Sequence, residues 1–151
     1  MDLYSIALFV HIVGALLLFV LLTIEGIGLR VGFASASVNR VLGPVSALAI
    51  LVPGLYMVAT QAGWKAWVAV GLVSWVLIAA VGTVTGNSVL RGRMSQRAAT
   101  ISWLIRIGMA LGVVFDMTVK PGLLVSITTV LAGVIAGAAA SAARARLVPS
   151  A

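Results

Sequence analysis

The chain has 151 residues, of which 62% are hydrophobic and only 9% are charged. Soluble domains have about one charged residue in four, so this composition excludes an ordinary water-soluble protein. The net charge of +7 does not indicate nucleic-acid binding, because the basic residues fall in short segments between long apolar runs. Because the chain has no cysteine, disulfides, thiolate metal sites and a cysteine nucleophile are also excluded.

Five apolar runs are each long enough to cross a lipid bilayer as an α-helix, which takes about 20 residues. In chain order they cover residues 4–29, 41–62, 64–86, 98–119 and 122–143. Pro44 stands in the first turn of the second run, where proline is tolerated. Lys120 and Pro121 end the fourth run, because the residue before a proline avoids helical geometry. The sequence predicts an all-α, polytopic membrane helix bundle of five spans, forming a single domain over residues 1–151.

Positive charge gives an independent test of this count, because cytoplasmic loops of membrane proteins are rich in Lys and Arg. Seven arginines lie in alternate connections or in the tail: Arg30, Arg40, Arg91, Arg93, Arg97, Arg144 and Arg146. The remaining connections hold only Lys65 and Lys120, and Asp2 precedes the first span. This alternation predicts an amino terminus outside the membrane and a carboxyl terminus in the cytoplasm.

Two other topologies fit the sequence less well. A four-span arrangement would place the basic tail on the side opposite the other basic loops. A signal peptide cleaved near Ala34-Ser35-Ala36 would need a positive charge before its apolar stretch, and a shorter apolar stretch than this one. Five uncleaved spans are therefore the expectation.

Four ionisable side chains fall inside the spans: His11, Glu25, Arg106 and Asp116. A charged Arg, Lys or Asp at mid-helix costs about 2.5–3.5 kcal/mol on insertion, so each needs a partner or water. His11 and Glu25 project from one face of span one, and antiparallel spans one and four would match their depths to Asp116 and Arg106. We therefore hypothesise a Glu25–Arg106 ion pair near the cytoplasmic side and His11 facing Asp116 near the outer side.

These four side chains have plainer interpretations too. Arg106 and Glu25 lie near the cytoplasmic ends of their spans and could extend to the lipid headgroups. Asp116 lies four residues before Lys120, which offers it a partner on the same helix. The sharper alternative is a small transporter or proton and solute conduit along the four residues, which predicts a wet cavity beside them.

His11 also suits a heme ligand, because neutral imidazole is a common axial ligand of heme iron. Met57 and Met109 lie within spans and offer a sulfur for the sixth iron position. One histidine cannot make a bis-histidine site, and methionine in an apolar helix usually only fills space. Residue types alone therefore predict no cofactor, with heme b as the alternative.

Pro53 and Gly54 lie near the middle of span two and predict a kink, because proline lacks the N–H that would bond the Ala49 carbonyl. Tyr56 and Thr60 would place hydroxyls beside it. Glycines also recur at four-residue spacing in three spans, as Gly82 and Gly86, Gly108 and Gly112, and Gly133 and Gly137. Such spacing favours close helix packing, either within the bundle or, for span five, with another subunit.

Three short segments carry a family resemblance: residues 8–15 (LFVHIVGA), 51–57 (LVPGLYM) and 117–121 (MTVKP). With them the chain resembles a bacterial family of uncharacterised predicted integral membrane proteins, grouped as a domain of unknown function. Through the histidine of span one it is also distantly similar to copper-resistance-D-like and heme-binding protoporphyrinogen-oxidase-like membrane proteins. The resemblance implies a bacterial cytoplasmic (inner) membrane, and the distant similarity implies His11 as a heme ligand.

No phosphate-binding loop, nucleophile motif, paired carboxylate or metal-ligand cluster occurs in the sequence, so no enzyme activity is predicted. The leading interpretation is an accessory or structural subunit, or a partner-binding membrane protein. It would lie in the lipid bilayer as a homo-oligomer or as part of a larger membrane complex. The conduit and a heme-binding redox protein are the two alternatives.

Overall fold

A computed structural model describes residues 2–31 and 36–147, and all the regular elements within them are helices. These are α1 (Leu3–Val31), α2 (Ala36–Met57), a π-helical segment (Val58–Ala62) that continues α2, α3 (Ala66–Leu90), α4 (Gln96–Val119) and α5 (Leu123–Leu147). In this part of the chain, five spans are long and apolar enough to cross a membrane. The predicted all-α class with five spans is confirmed, and the chain is a membrane protein. Ala34 and Ser35 of the considered cleavage site lie outside the described residues.

Short polar side chains begin two of the helices. The Ser5 backbone N–H donates to Asp2 Oδ1 at 3.0 Å, just before α1. Hydrogen bonds from the Ser5 side chain and then its backbone hold the pKa of Asp2 below its ordinary value of 3.8, because they stabilise the carboxylate. At α4, Ser95 is the N-cap, and its hydroxyl accepts from the Ala98 N–H at 3.2 Å.

Residues with positive φ end three of the spans. Gly63, with φ of 66°, follows the π-helical segment. Gly92, with φ of 64°, follows α3, where the Arg93 N–H donates to the Ser88 carbonyl as in a Schellman motif. Lys120, with φ of 54°, caps α4 before Pro121, as the position of the proline predicted.

The chain divides into two compact units, Met1–Lys65 and Ala66–Ala151. The single domain expected from the sequence stays a prediction. In the first unit α1 and α2 pack as an antiparallel hairpin. Gly14 makes this possible, since a Cβ there would lie 2.7 Å from the Ala49 carbonyl carbon and 2.8 Å from the Ile50 nitrogen. The two helix backbones therefore meet directly at Gly14.

In the second unit α4 packs against α3 on one side and α5 on the other. Along the α3 side, Gly71 lies against the Met117 side chain, and the hydroxyls of Thr85 and Ser102 are hydrogen-bonded at 2.7 Å. Residue numbers rise along one helix as they fall along the other, so α3 and α4 are antiparallel.

The α4–α5 contact is a backbone-to-backbone seam built on glycines. A Cβ on Gly108 or Gly133 would collide with the carbonyl oxygen of the other, and one on Gly137 would collide with that of Leu104. One turn further along, a Cβ on Gly112 would lie 2.8 Å from the Val130 Cα. The predicted close packing is therefore found within the chain for Gly108, Gly112, Gly133 and Gly137. Gly86, by contrast, has no such neighbour within 4 Å.

Candidate functional site

Span two carries Pro53 inside its helical segment and changes pitch shortly afterwards. α2 runs through Pro53 as far as Met57, and the next five residues are π-helical. This π-helical segment ends the span, because Gly63 follows it with a positive φ. Thr60 lies in this turn, and its hydroxyl donates to the backbone carbonyl of Tyr56 at 2.9 Å.

His11 of α1 reaches across the hairpin to this part of span two. Its Nδ1 lies 2.7 Å from the Ile50 carbonyl oxygen. A carbonyl oxygen only accepts, so Nδ1 carries a proton and donates. In the neutral ring Nε2 is then the nitrogen with a lone pair, and it has no hydrogen-bond partner among the described residues. The histidine is held by one nitrogen and offers the other.

Gly54 supplies the room for the imidazole. A Cβ at this position would lie 3.2 Å from both Cε1 and Nδ1 of His11, closer than side chains normally pack. Pro53, the neighbouring residue, leaves the Ala49 carbonyl without its usual N–H donor. The sequence identified His11 and the Pro53-Gly54 pair as separate candidates, and the structure brings them together.

An apolar groove of about 290 Å³ lies between α1 and α2 next to this histidine. Its lining is Leu3, Ile6, Ala7, Val10, Val52, Pro53 and Tyr56. Ala7 and Val10 are one turn and one residue before His11, and Pro53 precedes the glycine that the imidazole contacts. His11 itself does not line the groove, so the groove flanks the imidazole rather than containing it.

Comparison with known proteins identifies no relative of this chain. The chain matches no protein-family model, no curated protein and no solved structure. The family resemblance stays a prediction, and any function must be argued from the residues themselves.

The other three intramembrane candidates are buried. Glu25 is 9% exposed, Arg106 4% and Asp116 0%. Glu25 belongs to the first unit with His11, whereas Arg106 and Asp116 belong to the second. The proposed pairs, Glu25 with Arg106 and His11 with Asp116, join the two units and stay predictions.

Arg106 owes part of its burial to a glycine on α3. A Cβ on Gly82 would lie 3.0 Å from Nη1 of Arg106, so this glycine leaves space for the guanidinium group. The sequence had assigned Gly82 to helix packing in general. Its specific neighbour is a charged side chain.

Asp116 does not use the lysine on its own helix. The Lys120 ammonium lies 5.7 Å from the centre of the Trp67 ring, at cation–π distance. Neither carboxylate oxygen of Asp116 has a hydrogen-bond partner among the described residues. The same holds for the hydroxyl of Ser126, which is also 0% exposed.

Sequence reasoning missed Ser126. The signal was available, because Ser126 lies seven and eleven residues before Gly133 and Gly137 and therefore on the same face of α5. Of the two methionines considered as sixth ligands, Met57 is buried in α2, one turn after Pro53, and Met109 lies in α4. Among the described residues, no group of three or more His, Cys, Asp or Glu could hold a metal ion.

Proposed function

We propose that this chain is a small accessory protein of the bacterial cytoplasmic membrane that binds a heme-type macrocycle through His11. The observation that carries the proposal is the hydrogen bonding of the His11 imidazole. Nδ1 donates to the Ile50 carbonyl, and Nε2 has no hydrogen-bond partner among the described residues. Histidines that bind metals nearly always donate their other N–H to a carbonyl or carboxylate, which fixes the ring and raises its basicity.

The groove next to His11 is apolar but small, so it would cover only one edge of a macrocycle. The groove is lined by aliphatic side chains and one tyrosine, which suits the hydrocarbon periphery of a porphyrin. Bound heme iron would supply one-electron chemistry. The chain's own part is to orient the imidazole through Ile50, to make room through Gly54 and to keep water away with the groove residues.

The membrane orientation belongs to the same proposal. Alternating basic connections favour an external amino terminus and a cytoplasmic carboxyl terminus. His11 lies in the first third of α1, so it would stand in the outer half of the bilayer.

The test is the heme absorption spectrum of protein purified from heme-supplied cells. We expect a Soret band in the wild type and its loss in His11→Asn. Asparagine places a side-chain N–H near the position of Nδ1 and can still bond Ile50, but it has nothing in place of Nε2. Thr23→Ala is the matched control on α1 and should keep the band, because the Thr23 hydroxyl bonds only the Phe19 carbonyl of its own helix.

Two outcomes would refute heme binding at His11. One is colourless wild-type protein after reconstitution with heme. The other is a Soret band of full height in a folded His11→Asn variant, since iron would then be held elsewhere. Retained helicity and monodisperse elution of the variant would show that lost colour reports a lost ligand.

A further inference from the structure

We propose that Asp116 and Ser126 form a binding site for a small monovalent cation, with Na⁺ as the probe, at one end of the α4–α5 seam. Both residues are 0% exposed. Both oxygens of the Asp116 carboxyl and the hydroxyl oxygen of Ser126 lack a hydrogen-bond partner among the described residues. Three buried oxygens without partners are unusual, because buried polar atoms are nearly always satisfied.

The register of the seam places the two side chains opposite each other. Gly108 meets Gly133, and Gly112 meets Val130 one turn later. One further turn along the antiparallel pair brings Asp116 level with Ser126. Each is fully buried, and each lies on the same helix face as the glycines that precede or follow it, so both project into the α4–α5 contact.

Within the second unit, no charged residue of the neighbouring helices can neutralise the Asp116 carboxylate. Residues 66–90 of α3 and 123–143 of α5 contain no ionisable side chain. Arg106, on α4 itself, is ten residues away, or about 15 Å along the helix. Lys120 lies over the Trp67 ring instead of beside the carboxylate. A buried carboxyl group in this position must therefore take up a cation or a proton from solution, and the unpartnered hydroxyl oxygen of Ser126 favours the cation.

The local field and the ligands favour a monovalent ion. Asp116 is in the last turn of α4, where the helix dipole places partial negative charge and attracts cations. One carboxylate balances one positive charge, whereas calcium sites use six to eight oxygens that usually include several carboxylates. The hydroxyl of Ser126 adds a neutral oxygen ligand, as suits a hard cation such as Na⁺.

Thermal unfolding of the purified full chain in detergent tests the site. The protein is heated at constant pH and ionic strength in NaCl, KCl or choline chloride. A saturable rise in Tm of about 5 °C is expected at tenfold the Kd for Na⁺ over choline, because the ion binds only the folded state. Asp116→Asn should abolish the rise, and Ser126→Ala should weaken Na⁺ affinity severalfold. Thr118→Ala is the control on the same helix and should respond like the wild type, since its hydroxyl bonds only the Val114 carbonyl.

Equal Tm values for the wild type in Na⁺ and choline would overturn the site, and would fit a proton or a trapped water on the carboxyl instead. A full Na⁺ response in Asp116→Asn would also overturn it. If Asp116→Asn does not fold, the Na⁺ titration of Ser126→Ala tests the site instead. An unchanged Na⁺ concentration at the midpoint of its rise in Tm would also overturn the proposal.

Discussion

His11 places its imidazole against the interior of another helix, where backbone carbonyls normally already have their N–H partners. Pro53 changes this locally, because it removes the donor that Ala49 would use. The acceptor that His11 reaches is the next carbonyl, that of Ile50. The sequence predicts a free backbone carbonyl at Ala49, one residue from the carbonyl that His11 contacts. The packing of α1 against α2 determines that the hydrogen bond goes to Ile50.

The Gly54→Ala variant tests the link between this glycine and the histidine. Its new Cβ, 3.2 Å from two ring atoms, shifts the imidazole by a few tenths of an ångström, and we expect this shift to weaken the hydrogen bond to Ile50. Weakening that hydrogen bond costs about 1 kcal/mol, which offsets the usual gain of alanine in a helix. Gly86→Ala on α3 is the control, because a Cβ there meets nothing within 4 Å and should be neutral or slightly stabilising.

The two variants should therefore differ by about 1 kcal/mol in unfolding free energy, measured by denaturant titration in detergent. In a His11→Ala background the difference should vanish, because Gly54 then has no ring beside it. If the difference in unfolding free energy persists with His11→Ala, the cost of Gly54→Ala arises from the backbone and not from His11.

At the scale of helices, hydropathy and proline positions locate the five spans because each signal acts within one segment. Lys120 is the C-cap of α4, as Pro121 requires, while α2 begins at Ala36, five residues before its apolar run. The sequence predicts less well which helix faces pack against each other. Gly86 and Gly108 look alike in sequence, yet only Gly108 meets another backbone. Which face meets which helix is a property of the assembled unit, so Ser126 went unnoticed.

The α4–α5 seam predicts a sharp contrast among glycine variants. Gly108→Ala and Gly133→Ala each place a methyl group against a backbone carbonyl that cannot move without separating the helices. Overpacking of this kind costs about 1–3 kcal/mol, and backbone contact puts these sites at the upper end. Gly86→Ala, on α3, should be neutral or slightly stabilising, because nothing lies within 4 Å. Thermal unfolding in detergent measures all three, and equal stabilities would show that α4 and α5 can separate at little cost.

At the scale of the whole molecule, one physical rule predicts the side of the membrane on which each connection lies. Basic residues resist transfer across the membrane, and the arginines of this chain gather in alternate connections. The connection between α3 and α4 holds Arg91, Arg93 and Arg97, whereas that between α4 and α5 holds only Lys120. Adjacent connections therefore differ in positive charge. This difference predicts the orientation of the chain across the membrane directly from the sequence.

Cysteine labelling tests this orientation without background, because the natural chain has no cysteine. Met94→Cys lies in the basic α3–α4 connection and leaves its arginines intact. Gly122→Cys lies in the α4–α5 turn, where a side chain meets nothing within 4 Å. A membrane-impermeant thiol reagent applied to intact spheroplasts should label Gly122→Cys at once and Met94→Cys only after lysis. The reverse pattern would invert the orientation and put His11 in the cytoplasmic half of the bilayer, and labelling of both before lysis would mean that one connection does not lie at the membrane surface assigned to it.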